Sequence, residues 1–192
     1  MHALALLLGA FALLVPFEQD GRWGYRDARG DAAIPPRYLV AREFSAEGIA
    51  AVVDDRGWAY IDPSGRILIR PLVVDNGPDY FREQLARYRD AGKVGFFDPH
   101  GKIVIPPKYD YAMPFSEGRA AVCESCAETQ EGEHRAVRGG RWGYIDRRGR
   151  LAIPLRFEEA GSFENGRARV RLGGAWRYIR TDGSAAPGKG RR

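Results

Sequence analysis

Hydrophobic and polar positions alternate along several short stretches of this chain. In Trp142-Gly-Tyr144-Ile-Asp146 the two aromatic residues lie at every second position, which is the period of a β-strand. Asp146 and Gly149 then have the spacing of a turn that reverses the chain. The next apolar run ends at Pro154, which cannot donate a hydrogen bond to a β-ladder. The stretch therefore predicts a β-hairpin.

This stretch recurs five times, at Gly21–Gly30, Arg56–Gly65, Gly92–Gly101, Gly140–Gly149 and Gly174–Gly183. The first four turn glycines are 35, 36 and 48 residues apart. An isoleucine follows each of these turns, at Ile34, Ile69, Ile105 and Ile153, with the same three spacings. Two markers with one spacing indicate a true repeat, and the 48-residue interval indicates a twelve-residue insertion before the fourth copy.

A third block completes the unit, and its four members begin at Phe44, Phe81, Phe115 and Phe163. Taken alone, the segment Phe81–Tyr88 favours a helix, because it contains good helix formers and Asp79 could cap it. Since one unit should adopt one structure along an array, we expect a turn followed by a strand. The sequence thus predicts an all-β array of about five hairpin-based repeats in an open, solenoid-like sheet, with a closed propeller-like ring as the alternative.

The pattern also predicts the boundaries of the array. Residues 1–12 are expected to be a signal peptide, 13–183 the repeat array, and 184–192 a disordered basic tail. Within the array the copies lie near 13–52, 53–88, 89–122, 135–170 and 171–183, with the insertion at 123–134. The last copy is the most degraded, so we expect it to act as a cap.

The first apolar run, Ala3–Val15, contains no polar side chain. A membrane-spanning helix needs about 20 residues, so the run has the length of a signal-peptide core instead. Ala10-Phe11-Ala12 offers small residues for cleavage. We therefore expect a periplasmic or secreted protein that does not span the membrane after leader removal. If the run is not a signal, Leu13–Phe17 is simply the first strand and the protein is cytoplasmic.

The charge balance argues against a nucleic-acid partner. The 192-residue chain carries a formal net charge of +5, and three of these charges lie at Lys189, Arg191 and Arg192. The remainder is close to neutral, with arginines interleaved among acids, whereas a phosphate-tracking surface is strongly basic.

The recurring pattern resembles the WG-repeat family, called KWG repeats when a lysine precedes the tryptophan. The resemblance rests on Arg22–Tyr25 and Arg141–Asp146 and extends over nearly the whole array. Its signature positions are Trp23, Gly24, Trp58, Gly95, Trp142, Gly143 and Trp176. The resemblance implies a bacterial, often exported, all-β repeat protein suspected of binding, and it supplies no catalytic residues.

The only two cysteines, Cys123 and Cys126, lie in the insertion, and His134 follows eight residues later. In an oxidising compartment such a pair forms a small disulfide, which we expect here. Zinc held by Cys123, Cys126 and His134 is the weaker alternative, because a structural zinc site has four ligands. A redox-active pair normally has a βαβ setting, whereas this pattern is all β. Because inserted loops often carry binding specificity, this insertion is the candidate binding element.

Other recurring residues favour structural roles. The acids that precede the turn glycines are expected to be turn residues, as is the cluster Asp75–Asp79, which lacks the distal glutamate of a calcium loop. The former are Asp27, Asp62, Asp98 and Asp146. We expect the tryptophans to fill the core between repeats rather than to stack on a ligand.

No nucleophile elbow, phosphate loop or zinc-protease motif is present in the sequence. We therefore expect a non-enzymatic binding or scaffold protein of the bacterial cell envelope or exterior, without a cofactor. Its partner would be a protein or a cell-envelope glycan, and not a nucleic acid. The alternative is a metal- or redox-responsive protein that acts through Cys123, Cys126 and His134.

Overall fold

A computed structural model describes residues 14–131 and 134–187. Across these ranges the chain is all β and contains no helix, so no helix there is long and apolar enough to cross a membrane. The expected signal peptide lies outside the described residues. The expected tail begins too early, because Ala185–Ala186 forms the return strand of the last hairpin. The rest of the tail, from residue 188, is not described.

The chain forms two compact units that divide after Arg70. The first unit contains two antiparallel sheets. One consists of β1 (Val15–Gln19), β2 (Arg22–Arg26) and β3 (Ala32–Tyr38). The other consists of β4 (Val40–Ala41), β5 (Ala50–Asp54), β6 (Gly57–Ile61) and β7 (Ile67–Ile69).

The second unit contains a short hairpin, of β8 (Val73–Val74) and β9 (Gly77–Pro78), and three further antiparallel sheets. The first sheet is β10 (Ala86–Asp90), β11 (Lys93–Phe97) and β12 (Ile103–Tyr109). The next is β13 (Tyr111–Ala112), β14 (Ala120–Glu131), β15 (His134–Ile145) and β16 (Leu151–Phe157). The last is β17 (Glu159–Ala160), β18 (Arg167–Leu172), β19 (Ala175–Arg180) and β20 (Ala185–Ala186). The strand expected within Phe81–Tyr88 is confirmed as β10.

The Asp-x-x-Gly segments are turns, as the spacing predicts. In the first copy the Gly30 amide donates to the Asp27 carbonyl at 3.0 Å, and the Asp27 side chain accepts the amides of Arg29 and Asp31. Gly30 has a φ of +89°, a conformation that favours glycine. The carboxylates of Asp62, Asp98 and Asp146 accept the equivalent amides. The four aspartates therefore stabilise the turns, because their carboxylates accept backbone amides.

The return strands connect successive sheets. After β3, the Leu39 amide donates to the Val53 carbonyl of the next sheet at 2.7 Å. The amides of Asp110 and Glu158 do the same after β12 and β16, at 3.0 and 2.9 Å. Each four-stranded sheet therefore pairs the third block of one copy with the hairpin of the next, and successive copies are interlocked through backbone hydrogen bonds.

The glycine after the tryptophan has a specific steric role. Trp142 pairs with Phe157 and Tyr144 with Ile153, so three residues of β16 bulge opposite Gly143 alone. A Cβ on Gly143 would lie 2.6 Å from the Ile153 carbonyl oxygen and 2.9 Å from the Leu155 nitrogen. Gly24 and Gly95 face the backbone of Ile34–Pro36 and Ile105–Pro107 in the same way. The glycine thus makes room for the proline-containing bulge.

The core lies at joints between neighbouring sheets. In the first unit Tyr25 and Ile34 pack with Val52 and Ile61, and in the second Tyr144 and Phe157 pack with Val170. A third joint has Phe96 and Phe115 at its centre. The Tyr25 hydroxyl donates to the Arg42 carbonyl at 2.7 Å, and the Tyr144 hydroxyl donates to the Gly161 carbonyl at 2.8 Å, each 17 residues along the chain. In each of these three joints, one face of a sheet is therefore sealed by the following sheet of the same unit.

The turns before the third strands form a second contact between copies. The Glu83 carboxylate accepts the Gly118 amide at 3.1 Å, and the Glu117 carboxylate accepts the Gly166 amide at 2.8 Å. Each acid thereby binds an amide in the following turn. The glutamates that follow Phe81 and Phe115 therefore stabilise the packing of one copy on the next.

The tryptophans only partly match the expected core role. Trp142 is buried, whereas Trp23 and Trp58 are half-buried and Trp176 is 45% exposed. The expectation is wrong for Trp176, because no described segment covers its side of the last sheet. The core aromatic common to the joints is the residue two positions later, as at Tyr25, Phe96 and Tyr144.

Candidate binding cleft

The most individual region is the short hairpin β8–β9 together with the strands that surround it. Its turn residues Asp75 and Asn76 have φ values of 49° and 62°, the two positive angles of a type I′ turn. Asp79 follows the hairpin but is not a turn residue, contrary to expectation, since its side chain is only 3% exposed and ion-paired.

A buried ion pair fixes this hairpin to β10. Asp79 accepts three hydrogen bonds from Arg87: Oδ2 from the amide and Nε, at 2.8 and 2.9 Å, and Oδ1 from Nη2 at 2.8 Å. Arg87 Nη1 donates to the Ala112 carbonyl at 2.9 Å. Burial lowers the pKa of Arg87, but the bonds and charge of Asp79 raise it by more. The guanidinium remains charged and rigidly oriented.

Contrary to expectation, the insertion does not form a loop. It forms the ends of two long β-strands. Strands β14 and β15 are twelve residues each and pair continuously from Ala120↔Ile145 to Glu131↔His134, apart from the unpaired position at Ser125. The sister hairpins β5–β6 and β10–β11 have five-residue strands, so each strand of this hairpin is longer by the same number of residues and the register is unchanged. We call residues 124–131 and 134–141 the β-arm, since they extend beyond the neighbouring strands β13 and β16.

The root of the β-arm is held at three points. Cys123 and Cys126 form a disulfide, as expected. The Asp110 carboxylate accepts the Ser125 amide at 2.7 Å and binds the Lys93 ammonium at 2.6 Å, and the Lys93 bond chiefly lowers the pKa of Asp110. Further out, Glu128 is paired with Arg89. The last two links fix the arm against β10 and against Asp110, the residue between β12 and β13.

A metal site formed by Cys123, Cys126 and His134 does not fit this geometry. The sulfur atoms are joined to each other, so they are not thiolate ligands. Cys126 pairs with Gly139 and His134 with Glu131, five ladder positions away, which is about 17 Å at 3.4 Å per residue. Within 14–131 and 134–187, no group of three or more His, Cys, Asp or Glu side chains is placed to hold a metal ion.

A cleft of about 910 Å³ opens between the hairpin β8–β9 and the β-arm. Its floor carries Leu72, Arg87, Arg89 and Tyr111. Its walls are Val73, Val74, Asp75 and Asn76 on the hairpin, and Glu128 and Val137 on the arm. We call this the arm cleft. Two arginines face two acids, so the lining is close to charge balance, and four aliphatic side chains give it apolar surface.

This lining supports recognition of a ligand. Tyr111 contacts Trp142 edge-on with ring centroids 5.8 Å apart, so the floor is continuous with the buried joint. Arg87 is committed to Asp79 and Arg89 to Glu128. The side chains are thus held in place before any ligand arrives, which lowers the entropic cost of binding.

Sequence reasoning missed the Asp79–Arg87 pair, although a signal for it was present. Arg87 occupies the position of Ala51 and Ala121 in other third blocks, where the side chain is buried. A buried arginine needs an acidic partner, and Asp79 lies eight residues earlier. The departure from the repeat pattern therefore marked the site.

Comparison with known families agrees with this architecture. The family described as WG containing repeat matches residues 23–58, 95–125 and 142–176, which is more than half of the chain. The chain belongs to the WG containing repeat family. Two of the matched segments run from one tryptophan to the next, from Trp23 to Trp58 and from Trp142 to Trp176. A WG containing repeat that begins at its tryptophan therefore holds the bulged return strand, the residue at which the chain passes into the next sheet, and the third strand.

In the stretch between the first two matched segments, 59–94, Ala59 replaces the signature glycine and Arg70 replaces a proline. There β7 ends at Ile69, before any bulge could form. A search for relatives among curated proteins finds no match.

Proposed function

We propose that this protein is a non-enzymatic binding protein that acts in the periplasm or after secretion, and that the arm cleft holds an extended segment of a partner protein. The observation that carries the proposal is the arm cleft itself. It is framed by two devices, the Asp79–Arg87 pair and the disulfide-rooted β-arm. Features that are each added to a single copy of a regular array serve something other than the array.

An extended polypeptide suits this cleft for two reasons. Aliphatic residues beside ion-paired arginines and acids offer both apolar contacts and hydrogen bonds to a peptide backbone. The short strands β8 and β9 and the outer part of the β-arm also lie at sheet edges, where backbone groups can pair with an added strand.

Export is supported by the disulfide. Bonds such as Cys123–Cys126 persist in oxidising compartments and are rare in the cytosol. An alkaline phosphatase fusion to the native gene, read from its own start, tests export directly. Activity of the fusion outside the cytoplasm supports the proposal, and inactivity of a stably produced fusion overturns the location.

The binding site is tested by selecting a displayed library of random twelve-residue peptides on the purified protein. Selected peptides are then measured by fluorescence polarisation against Val137→Arg, which fills the cleft. The matched control is Ala127→Arg, because Ala127 is exposed and lies one ladder position from Glu128, on the opposite face of the arm.

We expect the selected peptides to lose at least about tenfold in affinity for Val137→Arg and to bind Ala127→Arg as they bind wild type. Equal loss in both variants would place the peptide elsewhere on the arm. A library with no enriched sequence would contradict a peptide ligand.

A further inference from the structure

The outer face of the last two long strands has an unusual composition. Strands β18 and β19 pair Arg167 with Arg180, Arg169 with Tyr178 and Arg171 with Trp176. Because side chains alternate between faces, these six residues share one side of the sheet, opposite the buried Ala168, Val170 and Ile179. On these two strands this side, the arginine face, consists only of arginine, tyrosine and tryptophan, and Glu159 and Ala186 of the edge strands lie on the same side.

The corresponding face of the preceding copy is a joint. There Ala121 pairs with Tyr144 and Cys123 with Trp142, and all four side chains are buried against the last sheet. In the last copy Arg169 and Arg171 replace the alanine and the cysteine. Burying these arginines under another repeat would carry a large desolvation cost, so the arginine face is not built to receive one.

The two central arginines are oriented by aromatic rings. The Arg169 guanidinium lies 4.0 Å from the centroid of the Trp176 ring, and that of Arg167 lies 5.6 Å from the Tyr178 ring. A stacked guanidinium keeps its in-plane N–H groups available for an anion. Over the described part of the chain, no acidic side chain forms an ion pair with Arg167 or Arg169.

The other two arginines of the face, Arg171 and Arg180, already have partners. Arg171 is paired with Glu158 at 3.3 Å and with Glu159 at 3.0 Å, and Arg180 donates to Ser184 and to the Ala185 carbonyl. A hollow of about 240 Å³ beside Arg167, Arg169 and Tyr178 is lined by Gly161, Ser162, Glu164 and Asn165. One acid thus stands beside two unpaired guanidinium groups.

A cap that only kept the array from aggregating would need a polar outer face of mixed charge. The arginine face instead has four cations and no acid on its strands, together with a tryptophan that is 45% exposed. Guanidinium edges match carboxylates in a bidentate geometry, and exposed aromatic rings pack against the apolar faces of sugar rings.

We propose that the arginine face binds an acidic polysaccharide, with Arg167 and Arg169 on its carboxylates and Trp176 against a sugar ring. Arginines two positions apart on a strand are about 6.7 Å apart, a spacing that suits an extended chain with repeated charges. This site is separate from the arm cleft and does not depend on the peptide ligand proposed there.

The test is isothermal titration of the full chain with polygalacturonate at about 50 mM salt, where electrostatic binding is well expressed. Dextran serves as the neutral polysaccharide, and a single-stranded dT20 oligonucleotide serves as an anion without pyranose rings. The variants are Arg169→Gln, Trp176→Ala and Trp176→Phe. Arg148→Gln removes an exposed arginine from a turn of the previous copy and is the matched charge control.

We expect polygalacturonate to bind and dextran not to bind. Arg169→Gln and Trp176→Ala should each weaken binding about tenfold, while Trp176→Phe and Arg148→Gln stay within about twofold of wild type. Val137→Arg should bind polygalacturonate normally, so failure at this face is distinguishable from failure at the cleft.

Three results would overturn the proposal. One is equal loss in Arg148→Gln and Arg169→Gln, which would indicate attraction by net charge alone. Another is dT20 binding as tightly as polygalacturonate with no effect of Trp176→Ala. The third is self-association in sedimentation that Trp176→Ala abolishes, which would make a second copy the occupant.

Discussion

Replacing Gly143 by alanine tests the steric account of the repeat signature. The added Cβ would lie 2.6 Å from the Ile153 carbonyl oxygen, 2.9 Å from the Leu155 nitrogen and 2.9 Å from the Pro154 carbonyl carbon. Comfortable contacts between such atoms are about 3.5–4.0 Å. All three atoms belong to the backbone of β16, so no side-chain rotation relieves the clash, and the bulge must move by up to about 1 Å.

The magnitude follows from two opposing terms. Overpacking of this kind costs about 1–3 kcal/mol. The φ of Gly143 lies outside the left-handed region, so alanine adopts its backbone without strain and restricts the unfolded chain, a gain of about 0.4–1 kcal/mol. We expect a net loss of about 1–2 kcal/mol, which for a chain of this size lowers Tm by about 2–8 °C.

The assay is thermal unfolding followed by circular dichroism at pH 7. Gly161→Ala is the matched control, because a Cβ there would meet only the Arg169 carbonyl oxygen, at 3.5 Å. We expect Gly161→Ala to melt at or above the wild-type temperature. If the two variants melt together, the bulge does not press on the signature glycine and the reasoning fails.

Four further predictions concern contacts that hold the repeats and the cleft. Arg87→Met leaves the Asp79 carboxylate buried without its partner, so urea unfolding should show a loss of about 3–5 kcal/mol, and adding Asp79→Leu should restore most of it; equal damage in both variants would contradict this. Tyr144→Phe removes the hydrogen bond to the Gly161 carbonyl and should lower the free energy of unfolding by about 0.5–1.5 kcal/mol in the same assay. An unchanged free energy of unfolding would contradict a stabilising role for this bond. Reduction of Cys123–Cys126, a bridge across three positions, should cost about 2 kcal/mol at most and speed amide exchange in the β-arm while leaving β18 unchanged; faster exchange throughout would refute a local role. Arg70 hydrogen bonds chiefly lower the pKa of Asp54, so the stability this pair contributes is present above the usual aspartate pKa of about 3.9 and is lost as pH falls through the lowered value; urea midpoints should drop between pH 5 and pH 2, and less steeply in Asp54→Asn.

The strand elements and turns could be predicted from the sequence, because each depends on residues close together in the chain. Alternating aromatics and Asp-x-x-Gly spacing are local signals, and the structure confirms the hairpins they predict. The expected end of the return strand at its proline is wrong, because β16 bulges at Pro154 and pairs again at Phe157. The conflict at Phe81–Tyr88 was resolved correctly by comparison with its sister copies rather than by helix propensity.

Features that depend on contacts with a distant part of the chain could not be predicted from local sequence. Trp142 and Trp176 have the same local sequence role, yet one is buried and the other exposed, because only the first is covered by a following sheet. The passage of the chain at Leu39 into the next sheet could not be predicted either, since no local signal specifies that the Leu39 amide bonds to the Val53 carbonyl.

The insertion shows where the sequence signal was present and misread. A segment confined to one copy suggests a loop, but Val137 and Thr129 favour strands, and an even insertion divides equally between two strands. The role of Asp79 was missed because the preceding residues, Asp75–Pro78, are typical of a turn. In both cases the informative sign was a departure from the sister copies.

Amide hydrogen exchange at Leu39, Asp110 and Glu158 tests the central structural claim, that the chain passes from β3, β12 and β16 into the next sheet. Leu39 has a side chain that is 46% exposed, yet its amide donates to the Val53 carbonyl at 2.7 Å, and the amides of Asp110 and Glu158 make the equivalent bonds. We predict that nuclear magnetic resonance will show these three amides exchanging as slowly as those within β5, β14 and β18. Exchange as fast as that of Arg147, an exposed turn residue, would contradict the interlocked array.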